Sequence, residues 1–351
     1  MAILHAENID DIVSGTLRDL GRDDLRQIAQ SLQRYEVMPR WFRQDKIVIS
    51  SGYGIQRSLL DVLNANSAKH VGLMEEDTIN QVDHLTNLQV DWVHATNNWS
   101  YDIREMAMNS GVARVQNVVR ARELASQLQM ALELEKSGWT IPSATNRKTA
   151  YGIPYWVVWN ATDGFTGGNP AGHTTVAGID VSVHTNFKNW AATYIAATFD
   201  DLIKKMKRMH RKIGFVSPVD ADQLAGPRGD QYRYYCNDTT YGEFEEAQRM
   251  QNDRLGPDVG QLNGMVVFKM SPVIWVAFLD DNMAAGSDPV YAINHGAFYP
   301  GVLEGQFFVR TGPMISAKQH MQREVHRDVT YQFVCVDRRS CGVIAKSDPA
   351  P

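Results

Sequence analysis

A long stretch without glycine or proline constrains the fold of this chain more than any other feature. Residues 112–136 place apolar side chains at helical spacing, with charged and amide side chains between them. At a rise of 1.5 Å per residue, about 25 residues span roughly 38 Å, which is enough to cross a whole domain. The sequence therefore predicts one long helix. Its apolar face comprises Val112, Val115, Val119, Ala121, Leu124, Ala125, Leu128, Ala131 and Leu132.

The segments before this helix follow two different periods. Residues 1–44 show helical spacing in two amphipathic pieces, punctuated by Gly21 and ended by Pro39. Residues 45–96 alternate apolar and polar side chains, which predicts half-buried strands. The polar, turn-rich stretch 64–83 between the strands is typical of the far end of a long projecting hairpin. A plain antiparallel sheet with a solvated loop fits the same pattern.

The segments after the long helix mix strands and helices in irregular order. The predicted strands are 155–159, 232–236, 265–269, 273–279, 329–335 and 342–345, the predicted helices are 198–213 and 242–255, and the glycine-rich stretch 164–178 is predicted as a surface loop. The chain shows no internal repeat and no regular alternation of strand and helix. This order predicts an α+β fold and argues against a doubly wound parallel sheet.

Charge and cysteine content narrow the function. Lysine and arginine number 35 and aspartate and glutamate 40, so the formal net charge is −5, a poor match to a protein that grips nucleic acid through its phosphates. The three cysteines lack metal-site spacing and are expected to be reduced thiols. The N-terminus lacks a basic region followed by an apolar one, so no signal peptide is expected. No apolar run reaches the roughly 18 residues of a membrane helix, so no membrane partner is expected.

Catalytic patterns are sparse. The histidines lack zinc-site spacing, no nucleophile elbow is present, and the glycine-rich stretch lacks the lysine of a phosphate loop. We therefore predict no catalytic residue, no cofactor and no metal. Asp280 and Asp281 follow an apolar stretch, and carboxylates at a strand end can hold a metal or act as acid and base. A polar turn explains them equally well, so a metal-assisted hydrolase using Asp280 and Asp281 remains an alternative of a different class.

The helix predicted at 198–213 carries the densest basic cluster of the chain. Its cations are Lys204, Lys205, Lys207, Arg208, Arg211 and Lys212. Six cations on one helix could meet phosphates, and they also suit a helix that faces solvent or a neighbouring subunit. The second interpretation is favoured.

Several stretches, taken with the order of the elements, resemble one protein family. The stretches are WSYDIREMAMNSG at 99–111, GFTGGNPAG at 164–172, NFKNW at 186–190, MVVFKMSPVIWVAFLD at 265–280 and DVTYQFVCVDRRS at 328–340. The predicted elements follow the order of a helical arm, a long hairpin, one long helix, an α+β region and returning strands. In both respects the chain resembles the major capsid proteins of tailed bacteriophages, which have the Hong Kong 97-like fold. The resemblance spans roughly residues 45–345.

The resemblance implies a structural protein that assembles as pentamers and hexamers into an icosahedral shell around double-stranded DNA. By order of elements, residues 1–44 would be the N-terminal arm and 45–96 the extended β-hairpin loop. Residues 97–160, with the long spine helix, and the return strands 297–351 would form the peripheral domain. Residues 161–296 would form the axial domain, which meets its copies at the centre of each capsomer. The apolar faces of the arm and hairpin would be buried only between subunits.

The resemblance also directs attention to residues that could lie between subunits. The candidates are Tyr53, Trp92 and Trp99 as aromatic anchors, and Arg57, Arg104, Arg122, Arg338 and Arg339 as ion-pair donors, although each could equally act within one chain. The expected partners are further copies of the chain, a portal, scaffolding or decoration proteins, and packaged DNA held by weak non-specific contact. The expected location is the virion capsid, assembled in the host cytoplasm. A cellular nanocompartment shell of the same fold is the nearer alternative.

Overall fold

A computed structural model of the 351-residue chain describes residues 32–63, 69–74, 82–102, 104, 112–145, 148–214, 231–250, 259–262 and 265–350. Residues 1–31 of the predicted arm lie outside this described part, as does much of the turn-rich stretch 64–83. The side chains of Val112, Val115 and Val119 on the predicted helix face also lie outside it.

Strands and helices alternate irregularly along the described chain. The strands are β1 Ile47–Ile49, β2 Gly54–Leu60, β3 Leu85–Asp91, β4 Val93–Asp102, β5 Trp190–Thr193, β6 Tyr232–Cys236, β7 Val259–Leu262, β8 Met265–Phe268, β9 Ser271–Trp275, β10 Val290–Asn294, β11 Phe298–Ile315, β12 Gln322–Cys335 and β13 Gly342–Ala345. The helices are α1 Val112–Gly138, α2 Ile153–Trp156, α3 Lys204–Ile213, α4 Asp238–Met250 and α5 Ala277–Asn282, with π-helical segments at Val37–Asp45 and Phe199–Ile203 and 3₁₀ turns at Thr185–Phe187 and Arg338–Ser340.

The strands form two mixed sheets and one separate hairpin. The four-stranded sheet, which we call the peripheral sheet, has the order β1-β11-β12-β4. The seven-stranded sheet, which we call the axial sheet, has the order β5-β13-β10-β6-β9-β8-β7. The chain passes from the first sheet to the second between β12 and β13. Strand β13 has the predicted bounds, and β12 contains the predicted 329–335 but begins seven residues earlier. The α+β prediction is therefore confirmed.

The predicted hairpin is present. Strands β2 and β3 pair antiparallel from Gly54 opposite Asp91 to Leu60 opposite Leu85. Leu88 and Val90 are buried, whereas the residues beside them are exposed or half-buried. The alternation in the sequence therefore corresponds to one face of β3 that packs against the protein. Strand β4, which begins at Val93, already belongs to the peripheral sheet.

The long helix is also present, and α1 runs two residues beyond the predicted 112–136. Its predicted apolar face is wrong in its middle part, where Leu124 is exposed; burial concentrates at Met130 and Leu134 near the C-terminal end. The reason is that the peripheral sheet meets the middle of α1 with polar side chains. Arg327 donates to Glu123 Oε1 at 3.0 Å from β12, and Asn97 of β4 donates to a helix carbonyl.

The described end of the arm belongs to the core. Trp41 is fully buried, and its ring lies 5.2 Å from that of Trp139 and 5.3 Å from that of Phe298. The expectation that the arm buries its apolar side chains only between subunits is therefore wrong for this end. The helix predicted to run up to Pro39 is also wrong in its described part, because residues 32–36 are not helical. Pro39 lies in the first turn of a π-helical segment, where the missing N–H would have had no intrahelical partner.

Two further elements differ from the sequence prediction. The expected strand 155–159 is instead the short helix α2, because Pro154 favours the first turn of a helix and Tyr155 and Trp156 are buried by tertiary packing. The expected strand 273–279 ends at Trp275, and α5 follows. Ser271 and Pro272 open β9, and the turn falls on Lys269 and Met270.

Candidate subunit interface

The distal end of the β2–β3 hairpin exposes a concentration of large apolar side chains. The distal hairpin patch, as we call it, comprises Leu60, Leu63, Leu73, Met74 and Leu85. Leu60 and Leu85 face each other across the hairpin, and Leu73 and Met74 are fully exposed. Single exposed apolar residues are ordinary on a soluble protein, but several together at the end of one extended element indicate a contact surface.

The paired part of the hairpin is held by its own chain at both of its ends. Asp61 binds the His184 ring and accepts a hydrogen bond from Asn186 Nδ2 at its carbonyl, at 2.9 Å. The backbone N–H of Gln89 donates to the carbonyl of Ala177 at 3.0 Å, and Ala177 is buried. The glycine-rich stretch 164–178 is therefore only partly a surface loop, because it supports the hairpin. These contacts leave the distal hairpin patch uncovered by the described chain.

The three aromatic candidates occupy different surroundings. Tyr53 is fully exposed just before β2. Trp92, half-buried at the junction of β3 and β4, donates from its indole N–H to the Gly52 carbonyl at 2.8 Å. Trp99 lies on β4 with its ring 5.8 Å from that of Tyr101. Only Tyr53 thus offers a whole side chain to a neighbouring copy, and the interface role of all three stays a prediction.

Four of the arginine candidates lie at least partly at the surface. Arg57 donates to the Tyr299 hydroxyl at 3.2 Å, and Arg122 donates to the Ser100 carbonyl at 3.2 Å. Arg104 pairs with Asp102 at 2.8 Å and thereby lowers the pKa of that carboxyl. Arg339 donates to Asn186 Oδ1 at 3.2 Å and lies 4.5 Å above the Phe165 ring. Their interface role also stays a prediction.

Arg338 is inside the subunit, which corrects its assignment to the interface. Its side chain is 0% exposed and donates to the Trp156 carbonyl at 2.5 Å, and to the Gly168 carbonyl and Asn189 Oδ1 at 3.0 Å each. Burial lowers its pKa to about 10, so the guanidinium stays charged at neutral pH. Gly167 makes room for this arrangement, because a Cβ there would lie 1.9 Å from Asn189 Oδ1.

A buried carboxyl that the sequence analysis missed joins the arm to the long helix. Glu135 Oε2 accepts the backbone N–H of Glu36 at 2.9 Å and that of Val37 at 2.7 Å, and Oε1 accepts the Trp139 indole N–H at 2.9 Å. Burial raises the pKa of Glu135 to about 7, against the opposing effect of these donors. A glutamate among leucines in a helix looks like a solvated position, so no sequence signal marked it.

Replacing Glu135 by glutamine is expected to remove most of this group's contribution to the pH dependence of folding. Because the folded pKa is raised from about 4.5 to about 7, the folded chain holds a proton that the unfolded chain lacks between these values. This stabilisation is complete below pH 4.5 and is lost as the pH rises through 7. Between pH 5 and pH 8, titration of this carboxyl should lower the unfolding free energy of the wild type by about 2–3 kcal/mol. The Glu135→Gln variant should show no such decrease from position 135.

Urea unfolding followed by tryptophan fluorescence at pH 5, 6, 7 and 8 measures this difference between the two proteins. Other buried carboxyls whose pKa is raised, such as Glu36 and Asp337, are present in both proteins and largely cancel. A difference in unfolding free energy that stays constant across these pH values would contradict the prediction.

The carboxylates of the hydrolase alternative are arranged for a structural role. Asp280 Oδ1 accepts the backbone N–H of Asp238 at the start of α4 at 2.7 Å, and Oδ2 accepts the Trp275 indole N–H at 2.8 Å. Asp281 is exposed on α5. Among the residues that the structure describes, no three histidine, cysteine, aspartate or glutamate side chains are grouped so as to hold a metal ion. Within the same residues, no helix has both the length and the apolarity needed to span a membrane.

Comparison with known proteins identifies the fold. No protein-family model and no curated protein matches the chain. The capsid asymmetric unit of cyanophage A-1(L) superimposes with a TM-score of 0.59 at 14% identity, covering 92% of this chain and 95% of that chain. The mature capsid of bacteriophage PhiM1 gives 0.52 at 9% identity over 92% and 91%, and the holo-SrpI encapsulin complex from Synechococcus elongatus PCC 7942 gives 0.52 at 8% over 95% of each. The chain therefore has the Hong Kong 97-like fold of phage capsid proteins.

Proposed function

We propose that this chain is the major capsid protein of a tailed bacteriophage. Copies would assemble as pentamers and hexamers into an icosahedral shell that encloses double-stranded DNA. The observation that carries the proposal is the distal hairpin patch, a group of exposed apolar side chains on the hairpin of a chain with a capsid-protein fold. An apolar surface of this kind gains its free energy only when another molecule covers it, and in a symmetric shell that molecule is another copy.

The net charge of the chain favours a shell that encloses DNA over a protein that binds DNA tightly. At −5 for each copy, the assembled shell carries a large net negative charge. Contacts with packaged DNA would then be weak and non-specific, because few phosphates could be neutralised. A portal, scaffolding or decoration proteins would complete the particle, which would form in the host cytoplasm.

The proposed role is structural rather than catalytic. Asp280, the most enzyme-like residue of the sequence, has both carboxylate oxygens engaged with donors of its own chain. This geometry supports a role for Asp280 in fixing the start of α4 on α5. The hydrolase alternative therefore has no observation in its favour.

A cellular nanocompartment shell is the second candidate function. It is supported by the similarity to the encapsulin complex, which covers 95% of the present chain. The cyanophage capsid fits better, with a TM-score of 0.59 against 0.52. The two candidates differ in contents, since one shell encloses a genome and the other encloses proteins.

Expression of the full chain, followed by sedimentation and electron microscopy, tests the proposal. The expected result is closed shells or capsomers, alone or with a phage scaffolding protein. A small monomer under all conditions, including coexpression with the scaffold, would contradict both shell functions. Particles purified from the native source decide between them: nuclease-resistant double-stranded DNA favours the phage capsid, and a protein cargo favours the nanocompartment.

A further inference from the structure

Two helices of opposite charge lie on the axial sheet. Helix α3 carries six lysines and arginines and no acid, and we call its exposed Lys204, Arg211 and Lys212 the basic helix surface. Helix α4 carries four acidic residues and no basic one over residues 238–246, and we call its exposed Glu243, Glu245 and Glu246 the acidic helix surface. The basic cluster that the sequence analysis noted therefore has an acidic counterpart within the same domain.

Both helices cover the same face of the sheet. Met206, Met209 and Ile213 of α3 pack into one buried cluster with Phe244 of α4 and with residues of the sheet strands. Because the apolar side chains of both helices point into this cluster, the charged side chains point away from it. The two charged surfaces thus lie on the outer side of one layer.

The strands closest to the two helices lie at opposite ends of the sheet order, although His210 of α3 also reaches Tyr234 of β6 and Phe268 of β8. Helix α3 packs against β5 and β13, the first two strands in the sheet order. Helix α4 packs against β7 and β9, at the other end of the order. The positively charged helix is thus closest to one end of the axial sheet, and the negatively charged helix is closest to the other.

The charges that define the two surfaces lack partners within the described chain. Lys205 pairs with Asp201 at 2.9 Å, and Arg208 lies 3.7 Å from Asp163. Lys204, Arg211, Lys212 and the three glutamates form no ion pair with any side chain that the structure describes, and the side chain of Arg249, further along α4, lies outside that described part. The basic helix surface of one copy is therefore complementary in charge to the acidic helix surface of another copy.

We propose that the basic helix surface of one copy binds the acidic helix surface of the next copy around each ring of the shell. The inference rests on the proposed shell function and names the contact that closes its capsomers. Two different surfaces that complement each other form a head-to-tail contact, which closes into rings when the rotation allows. Opposite charges at such a contact direct association and disfavour the reversed orientation, because like charges would then meet.

Charge reversal on one helix tests the contact directly. R211E/K212E changes the net charge of the basic helix surface from +3 to −1, and E245K/E246K changes that of the acidic helix surface from −3 to +1. Each variant should raise the protein concentration needed for ring formation by about 100-fold, because repulsion replaces attraction at every contact. The chain carrying all four substitutions should assemble at close to the wild-type concentration. Analytical ultracentrifugation over a dilution series measures these concentrations, and circular dichroism checks that each chain remains folded.

Mixing the two reversed chains gives a result that loss of folding cannot imitate. In an equimolar mixture the positive chain alternates with the negative chain, so every contact joins opposite charges. Alternation closes only in rings with an even number of copies, so hexamers should reappear and pentamers should not. Native mass spectrometry of the mixture distinguishes the two ring sizes.

The control variant E133K/E304K makes the same change of net charge as E245K/E246K. Both of its sites are exposed, on α1 and β11, outside the axial sheet. It should assemble like the wild type. The inference is overturned if the single-helix variants assemble like the wild type, or if the four-substitution chain is no better than they are. Failure of the wild-type chain to assemble would instead overturn the shell function itself.

Discussion

Replacing Arg338 by methionine should cost the subunit about 3–5 kcal/mol of unfolding free energy, the largest stability effect that we expect from any single substitution in this chain. Methionine keeps much of the length and apolar stem of the side chain but removes all of its donors. The carbonyls of Trp156 and Gly168 would then lose this donor, and Asn189 Oδ1 would keep only the Val158 backbone N–H. Hydrogen bonds to a charged group contribute about 1.5–3 kcal/mol each, and unpaired buried acceptors add a penalty.

Arg339→Met is the matched control, because it changes the neighbouring residue in the same way. Arg339 is exposed, and its hydrogen bond to Asn186 and its contact with the Phe165 ring should contribute less than about 1 kcal/mol. Urea unfolding of both variants, together with their soluble yield, measures the contrast. Equal losses in the two variants would show that the buried donors of Arg338 are not what stabilises this region.

The expected effect is large because Arg338 joins three parts of the chain that are distant in sequence. It lies on the turn between β12 and β13, where the chain passes from the peripheral to the axial sheet. From there it binds the end of α2 and the glycine-rich stretch 164–178. That stretch in turn supports the hairpin through Ala177. Loss of Arg338 should therefore weaken the hairpin as well as the sheet junction.

Local sequence pattern predicted the elements whose burial repeats with a fixed period. Alternation over β3 and β12 predicted strands, and the uninterrupted stretch that became α1 predicted a helix, because burial on one face imposes the period in each case. The order of these elements, together with the five sequence stretches quoted above, carried the fold resemblance. The hairpin followed from the same alternation, together with the turn residues between its strands.

Local pattern failed where distant contacts decide the environment. Arg338 stands in the polar sequence Asp-Arg-Arg-Ser, which reads as an exposed turn, yet carbonyls from two other segments enclose it. Glu135 looked solvated for the same reason, since its donors come mainly from the arm, about a hundred positions earlier in the chain. Trp41 packs against rings from β6, β11 and β12, which no window around residue 41 contains.

The candidate interface shows the same difference between what residue type predicts and what only the structure reveals. The aromatic and arginine candidates were chosen by residue type, and most already have partners within the chain. The distal hairpin patch was not among them, because leucine and methionine side chains give no interface signal until their exposure is known. The complementary helices needed the strand order of the axial sheet, which places the strands closest to α3 and α4 at opposite ends.

The paired substitution Leu73→Asp and Met74→Asp should abolish shell assembly while leaving the subunit folded. Both side chains are fully exposed in the single chain, so the change should alter unfolding free energy by less than about 0.5 kcal/mol. If a neighbouring copy buries them, each contributes about 1.5–3 kcal/mol to every contact. Losing both should raise the concentration needed for assembly by roughly 100-fold or more, before the cost of burying two carboxylates is added.

The exchange Leu73→Met with Met74→Leu is the control, because it keeps both positions apolar and similar in volume. It should assemble within a few-fold of the wild-type concentration, since volume-conserving apolar exchanges are well tolerated. Light scattering during assembly and electron microscopy of the products compare the three proteins. Normal shells from the aspartate variant would show that the hairpin end remains in solvent, and the patch would then have to be explained by a partner other than a second copy. Loss of assembly in the aspartate variant alone would locate a subunit contact at the hairpin end, independently of the charged contact between α3 and α4.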